Sequence, residues 1–299
     1  MHFVDAKGIL SAKNGMNIYR GCTHGCIYCD SRSECYQMNH PFEDVEVKQN
    51  CVTLLEKALQ SKRKKCMIGT GSMSDPYMHC EDKLELMKQC LEVIERYGFG
   101  VAVQTKSDRI LRDLPLLSRI NQKAKAVVQT TFTTYDEELC KILEPNVCTT
   151  QKRFEMLLAM KEEGIPTVVW MSPILPFIND TKENIDGLLE YCVRAKVKGI
   201  ICFGMGMTLR KGNREYFYQK LEEHFPGIKR KYQEKYSYAY ELGSPKGKEL
   251  YYHFQKVCKS NNILCTPDEV FAYMNDFPQD KGYEQMNLFD CFGSDGVKR

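Results

Sequence analysis

Short apolar runs alternate along the chain with longer stretches whose apolar residues recur at helical spacing. Met16 to Tyr19, Cys66 to Gly69, Phe99 to Gln104, residues 124–130, Thr167 to Met171 and Gly199 to Phe203 each read as a short buried strand. Between them, helices are expected at 50–61, 81–97 and 108–118, and in material between 136 and 163 that is broken at Pro145. Leu84, Met87, Leu91 and Ile94 share one helical face, and Gly98 ends that helix. Asp180 followed by Glu183 predicts a capping box for a helix whose buried stripe is Ile185, Leu188, Leu189, Cys192 and Val193. Six strand–helix units imply a parallel sheet with helices outside it. Either a partial barrel or a doubly wound open sheet would satisfy that pattern.

Beyond residue 205 the pattern changes. Residues 207–240 are rich in tyrosine and basic side chains and read as helical, 245–260 reads as one more helix, and the tail from 266 reads as irregular. The expected division is therefore 1–205 for the strand–helix body. Residues 206–299 would form a mainly helical extension closing its open side or bottom.

Composition narrows the class without naming a chemistry. The chain has 299 residues, of which 43% are hydrophobic and 27% charged, as in ordinary globular proteins. A net charge of +3 makes no electrostatic case for nucleic acid or membrane. The run Lys62 to Lys65 suits the solvated end of a helix. Fifteen cysteines are scattered with no small-domain disulfide framework, and the start carries no apolar signal core. No stretch approaches a transmembrane length, so a reducing cytoplasm is the expected location.

The chemistry is concentrated in residues 19–36, YRGCTHGCIYCDSRSECY, directly after the first apolar run. Cys22, Cys26 and Cys29 form a C-x3-C-x2-C pattern with Tyr28 before the third cysteine. Three local thiolates can hold three irons of a [4Fe–4S] cube and leave the fourth open for a substrate or cosubstrate. With Cys35 the same cysteines could instead form a structural zinc site in a non-catalytic module. Such sites usually pair two C-x2-C knuckles, or a knuckle with histidines, and that second half is missing. His24 reads as a packing or hydrogen-bonding residue of the loop.

This pattern resembles the radical S-adenosylmethionine (SAM) superfamily. YRGCTHGCIYCD, TGSMSDPY, QTKSD and WMSPILPFIND follow one another as in its spore photoproduct lyase-like branch, over about the first two thirds of the chain. The resemblance implies a partial (β/α)6 TIM-like barrel, with chemistry at the C-terminal ends of its strands. It implies a [4Fe–4S] cluster on Cys22, Cys26 and Cys29 and SAM as cosubstrate, cleaved reductively to a 5′-deoxyadenosyl radical that abstracts hydrogen. Ser74 and Lys106 would hold SAM polar groups, Tyr28 would flank adenine, and Gln129 and Ser172 are further SAM candidates. An electron donor such as flavodoxin or ferredoxin is implied as partner.

One position departs from the branch. Spore photoproduct lyases carry a hydrogen-donating cysteine two positions before the serine matched by Ser74, and here that place is Ser72. An O–H bond is too strong to quench a carbon radical, which argues against thymine photoproduct repair by that route. The resemblance points instead to a lyase acting on a small nucleoside or nucleotide, with release of queuine from queuosine or its 5′-phosphate favoured over a DNA photoproduct-type lyase. Arg210, Lys211 and Arg214 would meet a phosphate at the barrel mouth, and Tyr19, Tyr77 or Tyr216 would stack on a base. Gln285 to Phe289, QMNLF, resembles the peptide that docks on bacterial sliding clamps. So short a pattern arises by chance, and the favoured reading is that Leu288 and Phe289 anchor the tail.

Overall fold

Six parallel strands follow one another in space as they do in sequence, each hydrogen-bonded to the next. The computed structural model of the chain describes residues 1–278. Its elements begin with β1 (His2–Val4), β2 (Gly15–Met16), β3 (Tyr19–Arg20), β4 (Glu46–Lys48), α1 (Cys51–Ser61) and β5 (Met67–Thr70). Then come α2 (Glu81–Leu84), α3 (Leu86–Arg96), β6 (Gly100–Gln104), α4 (Leu114–Lys123), β7 (Ala126–Thr131), α5 (Glu137–Leu143) and α6 (Thr150–Glu162). The body ends with β8 (Thr167–Trp170), α7 (Lys182–Ala195) and β9 (Gly199–Ile201). Beyond it lie β10 (Gly206–Thr208), α8 (Asn213–His224), α9 (Ile228–Tyr236), β11 (Glu241–Gly243), α10 (Gly247–Ser260) and α11 (Pro267–Asn275).

The main sheet runs β2-β5-β6-β7-β8-β9, the partial TIM-like barrel, with a mainly helical C-terminal part. Its strands point successive side chains to opposite faces. Ile68, Val101, Val103, Val128, Val169 and Ile200 face outward and pack with Leu55, Leu91, Leu117, Leu157 and Leu189 of the surrounding helices. Each such fully buried side chain stabilises the fold by roughly 1.5–3 kcal/mol. The alternate positions Met67, Ala102, Val127, Val168 and Ile201 face inward and meet Val270 and Met274 of α11. No helix among the described residues is long and apolar enough to cross a membrane.

That last helix corrects the expectation of an irregular tail. Thr266 caps α11 by accepting from the Glu269 amide, Pro267 occupies its first turn, and Asp268 and Glu269 add negative charge there. Lys125 Nζ donates to the Tyr273 and Asp276 carbonyls at its other end, at 2.6 and 2.8 Å. Just before α11, the Ile200 amide donates to Leu264 O at 2.8 Å and the Leu264 amide to Lys198 O at 3.1 Å, extending the sheet past β9. The extension is also not wholly helical, since β10 and β11 pair antiparallel.

Three boundaries differ for local reasons. The helix expected at 81–97 breaks at Glu85, which has φ +47°, because the buried Glu81 carboxylate accepts from the Met87 amide at 2.7 Å and starts α3 afresh. The stretch 108–113 is 3-10 helix before α4 begins. Thr181 rather than Asp180 caps α7, accepting from the Asn184 amide at 3.1 Å, while Asp180 accepts from Ser244 Oγ at 2.5 Å. The QMNLF stretch lies outside the described residues.

Candidate active site

The loop from Gly21 to Cys29 leaves β3 and curls over the C-terminal ends of the barrel strands. Gly21 has φ +88°, and a Cβ there would run into the Phe42 carbonyl, which accepts the Cys22 amide at 3.0 Å. Farther on, the Ile27 amide donates to Leu143 O and the Asn146 amide to His24 O, at 3.0 and 3.1 Å. Tyr28 fastens the loop from inside: its hydroxyl bonds Thr133 Oγ1 at 3.0 Å and donates to Glu144. Glu144 in turn pairs with Arg153, both side chains fully buried.

Cys22, Cys26 and Cys29 line one small cavity of about 100 Å³. Its other walls come from the strand ends: Gly71, Ser72, Met73, Ser74 and Asp75 after β5, Gln104 to Lys106 after β6, and Thr131 of β7. Gly71, at φ +97°, lets the β5 loop lie against the Gln104 carbonyl, where a Cβ would collide. Asp75 organises the floor, accepting from Thr105 Oγ1 at 2.6 Å and from the Tyr77 and Lys106 amides at 2.8 Å each. His24 Nδ1 lies 3.5 Å from the same carboxylate.

These residues fit an iron–sulfur cube better than one zinc ion. Tetrahedral zinc draws thiolate sulfurs to about 3.8 Å from one another. The cluster cysteines are spread more widely: among the described residues only His2, His40 and Asp44 bring three ligand atoms all within 4.8 Å of one another. Cys35 does not join them; it is exposed, and its sulfur accepts from Arg210 at 3.3 Å. Burial pushes the Cys22 thiol up to about 12 and raises Cys26 as well. Both therefore stay protonated until a metal displaces the proton. Two buried polar atoms at the cavity, Ser74 Oγ and His24 Nε2, have no protein partner. Burial acts to lower the Lys106 pKa, but the negative charge of Glu144, joined by that of Cys26 once it is a metal-bound thiolate, more than offsets it, so the side chain carries positive charge beside the cysteines.

The structure thus brings Cys22, Cys26, Cys29, Ser74 and Lys106 to one cavity. Tyr28, Gln129 and Ser172 do not line it. Tyr28 is packed inward as described, Gln129 Oε1 accepts from Trp170 Nε1 at 2.9 Å, and Ser172 follows β8, half-buried. The substrate candidates need correction. Tyr19 and Tyr77 are in the core at 1% and 0% exposure, their hydroxyls donated to Glu81 and Asp113; Tyr77 presents no face to a base, whereas Tyr19 borders a neighbouring cavity of about 310 Å³. Arg214 is buried and donates to the Leu209 and Ala239 carbonyls, both at 2.7 Å, which leaves it unavailable to a phosphate. Arg210 bonds Tyr240 Oη at 2.8 Å and lies 3.7 Å from Asp30, and Lys211 pairs with Glu34. Arg32 covers the Tyr216 ring at 3.9 Å from its centroid.

Sequence reasoning missed Asp75, Thr105 and Thr131. The first two sit inside the quoted blocks TGSMSDPY and QTKSD, next to the residues chosen, and only the three-dimensional network distinguishes them.

Residues 16–192 match the family described as the Radical SAM superfamily. An uncharacterized protein of Mycobacterium tuberculosis is 30% identical over 227 residues, a match covering 74% of this chain and 66% of that relative. The chain thus spans about two thirds of the length of that relative. A mutant of spore photoproduct lyase superposes with a TM-score of 0.62 at 13% identity, covering 87% of this chain and 78% of that one. Another variant of that lyase, with bound AdoMet and dinucleoside spore photoproduct, gives 0.59 at 13% identity over 84% and 74%. At such identity the likeness is one of fold.

Proposed function

Because the chain belongs to the radical SAM superfamily, whose enzymes use a [4Fe–4S] cluster and S-adenosylmethionine, we propose that it is a lyase acting on a small nucleoside or nucleotide. The substrate favoured by likeness within the spore photoproduct lyase-like branch is queuosine or its 5′-phosphate, with queuine as the released base. The bound cofactors supply one-electron chemistry that removes a hydrogen atom from the substrate. The protein's own residues bind and orient.

Cys22, Cys26 and Cys29 would hold three irons, and Ser74 and Lys106 line the same cavity on the side where the cosubstrate's polar groups would bind. Lys106 Nζ offers a compact positive charge to the SAM carboxylate, and Asp75, bonded to the Lys106 amide, fixes where that side chain begins. Ser74 Oγ, buried and unpartnered, supplies a hydrogen bond to the amino or carboxylate group. Met73 and Gly71 complete the wall on the iron side, where the β5 loop lies close against Gln104.

The observation that carries the reading is Ser72 in the cavity wall. Among the described residues the only thiols lining that cavity are the three cluster cysteines, so the described wall offers no further sulfur to return a hydrogen to a product radical. That favours a reaction ending in bond cleavage over repair by hydrogen return. The test is anaerobic turnover with dithionite, SAM, and a panel of queuosine, queuosine 5′-phosphate and dinucleoside photoproduct, read by mass spectrometry. Free queuine supports the proposal. Photoproduct reversal with no queuine would replace it by the repair reading.

A further inference from the structure

With Arg210 and Arg214 bonded elsewhere, a nucleotide's phosphate needs another anchor, and the structure contains one. A second chamber of about 310 Å³ adjoins the cysteine-lined cavity, and Ser31, Met73 and Ser74 stand in the walls of both. That volume is at the lower end of small-molecule sites. Its wall carries Arg20 of β3 and Lys48 of β4, brought together because these strands pair antiparallel. Most arginines of the described chain pair with a carboxylate, whereas these two cations face only Glu46, which lies opposite Arg20 in the strand pairing and works against the burial that lowers the Lys48 pKa. Arg20 Nη2 donates to the Tyr36 and Gln37 carbonyls at 2.8 and 2.9 Å, and Lys48 Nζ to the Asn17 carbonyl at 2.9 Å; unlike buried Arg214, Arg20 is half-buried, and its Nε and Nη1 have no partner among the described residues. Among the described residues neither forms an ion pair. Burial lowers the Lys48 pKa, a desolvation cost that an anion bound alongside would offset.

The same wall supplies acceptors. Asn17 Oδ1 is buried with no partner, and Glu46 lies beside it in the lining. A buried acceptor left unpaired costs about 1–3 kcal/mol, which a ligand O–H or N–H would recover. Two cations and two acceptors in the wall of one chamber suit a phosphate monoester that also carries hydroxyl or amino donors. The chamber meets the cysteine cavity at Ser74, so a ligand held there would extend toward the reacting end.

We propose that this chamber anchors the substrate, with Arg20 and Lys48 holding its 5′-phosphate and Asn17 Oδ1 accepting a hydroxyl or amino proton. The assignment rests on the nucleotide reading given above, and the experiment separates the two. Anaerobically reconstituted protein is titrated calorimetrically with queuosine 5′-phosphate, queuosine, guanosine 5′-monophosphate and SAM. The proteins are wild type, Lys48→Met, Arg20→Gln and the double variant, with iron content as the check on folding.

The expected result is at least roughly tenfold tighter binding of the phosphorylated nucleoside by wild type, the size of one charge-assisted hydrogen bond. Each single variant should lose most of that preference with SAM affinity and iron unchanged. If guanosine 5′-monophosphate shows the loss while neither queuosine compound binds, the anchor stands and the queuosine reading fails. A wild type without phosphate preference overturns the anchor even if queuine is released. So does a Lys48→Met protein that keeps the preference, or one that loses SAM affinity instead, which would give the chamber to the cosubstrate.

Discussion

Replacing Arg153 should unfasten the cysteine loop from the barrel, although the residue touches no cysteine of the cluster. Its guanidinium pairs with Glu144 and donates to three carbonyls: Lys106 O at 3.1 Å, Thr131 O at 2.9 Å and Cys148 O at 2.6 Å. Glu144 accepts from the Tyr28 hydroxyl, so one ion pair holds the cysteine loop, the β6 loop and the end of β7 together. Arg153→Met keeps much of the volume but leaves a fully buried carboxylate without its ion-pair partner, with Lys106 as the nearby cation that remains. Breaking a buried pair in this way costs about 3–5 kcal/mol. Each orphaned carbonyl adds on the order of 1 kcal/mol where water does not reach it. Against a total stability of roughly 5–15 kcal/mol, the variant should be close to unfolding.

The assay is urea unfolding of anaerobic protein at two pH values, with Arg153→Met, Glu144→Gln and the double variant. Burial alone would raise the Glu144 pKa, but Arg153 and Lys106 hold it below the ordinary value of 4.5. In wild type its contribution is therefore present above the unfolded-state pKa and lost as pH falls through the folded one. In Arg153→Met burial acts with less opposition and raises the pKa, so the deficit should be larger at pH 7.5 than at pH 5. The double variant should recover roughly 2 kcal/mol relative to Arg153→Met, because the buried carboxylate is no longer charged, less whatever Lys106 loses with it. An Arg153→Met protein within about 1 kcal/mol of wild type, or a deficit independent of pH, would refute the reasoning.

Alanine at Cys22, Cys26 or Cys29 should abolish iron–sulfur absorbance and SAM cleavage, whereas Cys35→Ala, at an exposed sulfur outside the cavity, should spare both. Lys106→Gln should weaken SAM binding at least roughly tenfold by loss of one charge-assisted contact, with iron content unchanged; unaltered affinity in a titration would retire that assignment. Gly71→Ala should destabilise the protein or the loop by more than about 1 kcal/mol, since φ +97° and the Gln104 carbonyl both oppose a Cβ. Chemical denaturation and the SAM titration together read that change.

The strand–helix rhythm was legible because each barrel strand is an apolar run with residues buried on both faces, and β7 is buried from Ala126 to Thr131. Cys22, Cys26 and Cys29 were legible because their ligand spacing is local. Helix α11 carried a signal that was overlooked, Thr266-Pro267-Asp268-Glu269, a cap, a proline and two acids in the first turn. The break at Glu85 was not legible, since it depends on Glu81 meeting Tyr19 and Arg112 from distant segments. Nor were the roles of tyrosine and arginine. The composition that suggests stacking and phosphate binding serves equally to tie Tyr19 to Glu81 and Arg214 to backbone carbonyls. Arg20 and Lys48 drew no attention, because only the pairing of β3 with β4, which sets Arg20 opposite Glu46, brings them to one wall.

The central claim is that three cysteines leave one iron of a cube free for SAM at the mouth of this barrel. The direct measurement is 5′-deoxyadenosine formed per chain, by mass spectrometry, after reduction of anaerobically reconstituted protein with about four irons per chain. The account predicts that 5′-deoxyadenosine accumulates in wild type and Cys35→Ala and is absent from Cys22→Ala, Cys26→Ala and Cys29→Ala. Fully loaded wild type that binds SAM and never yields 5′-deoxyadenosine, with any of the nucleosides or nucleotides tried, would contradict it.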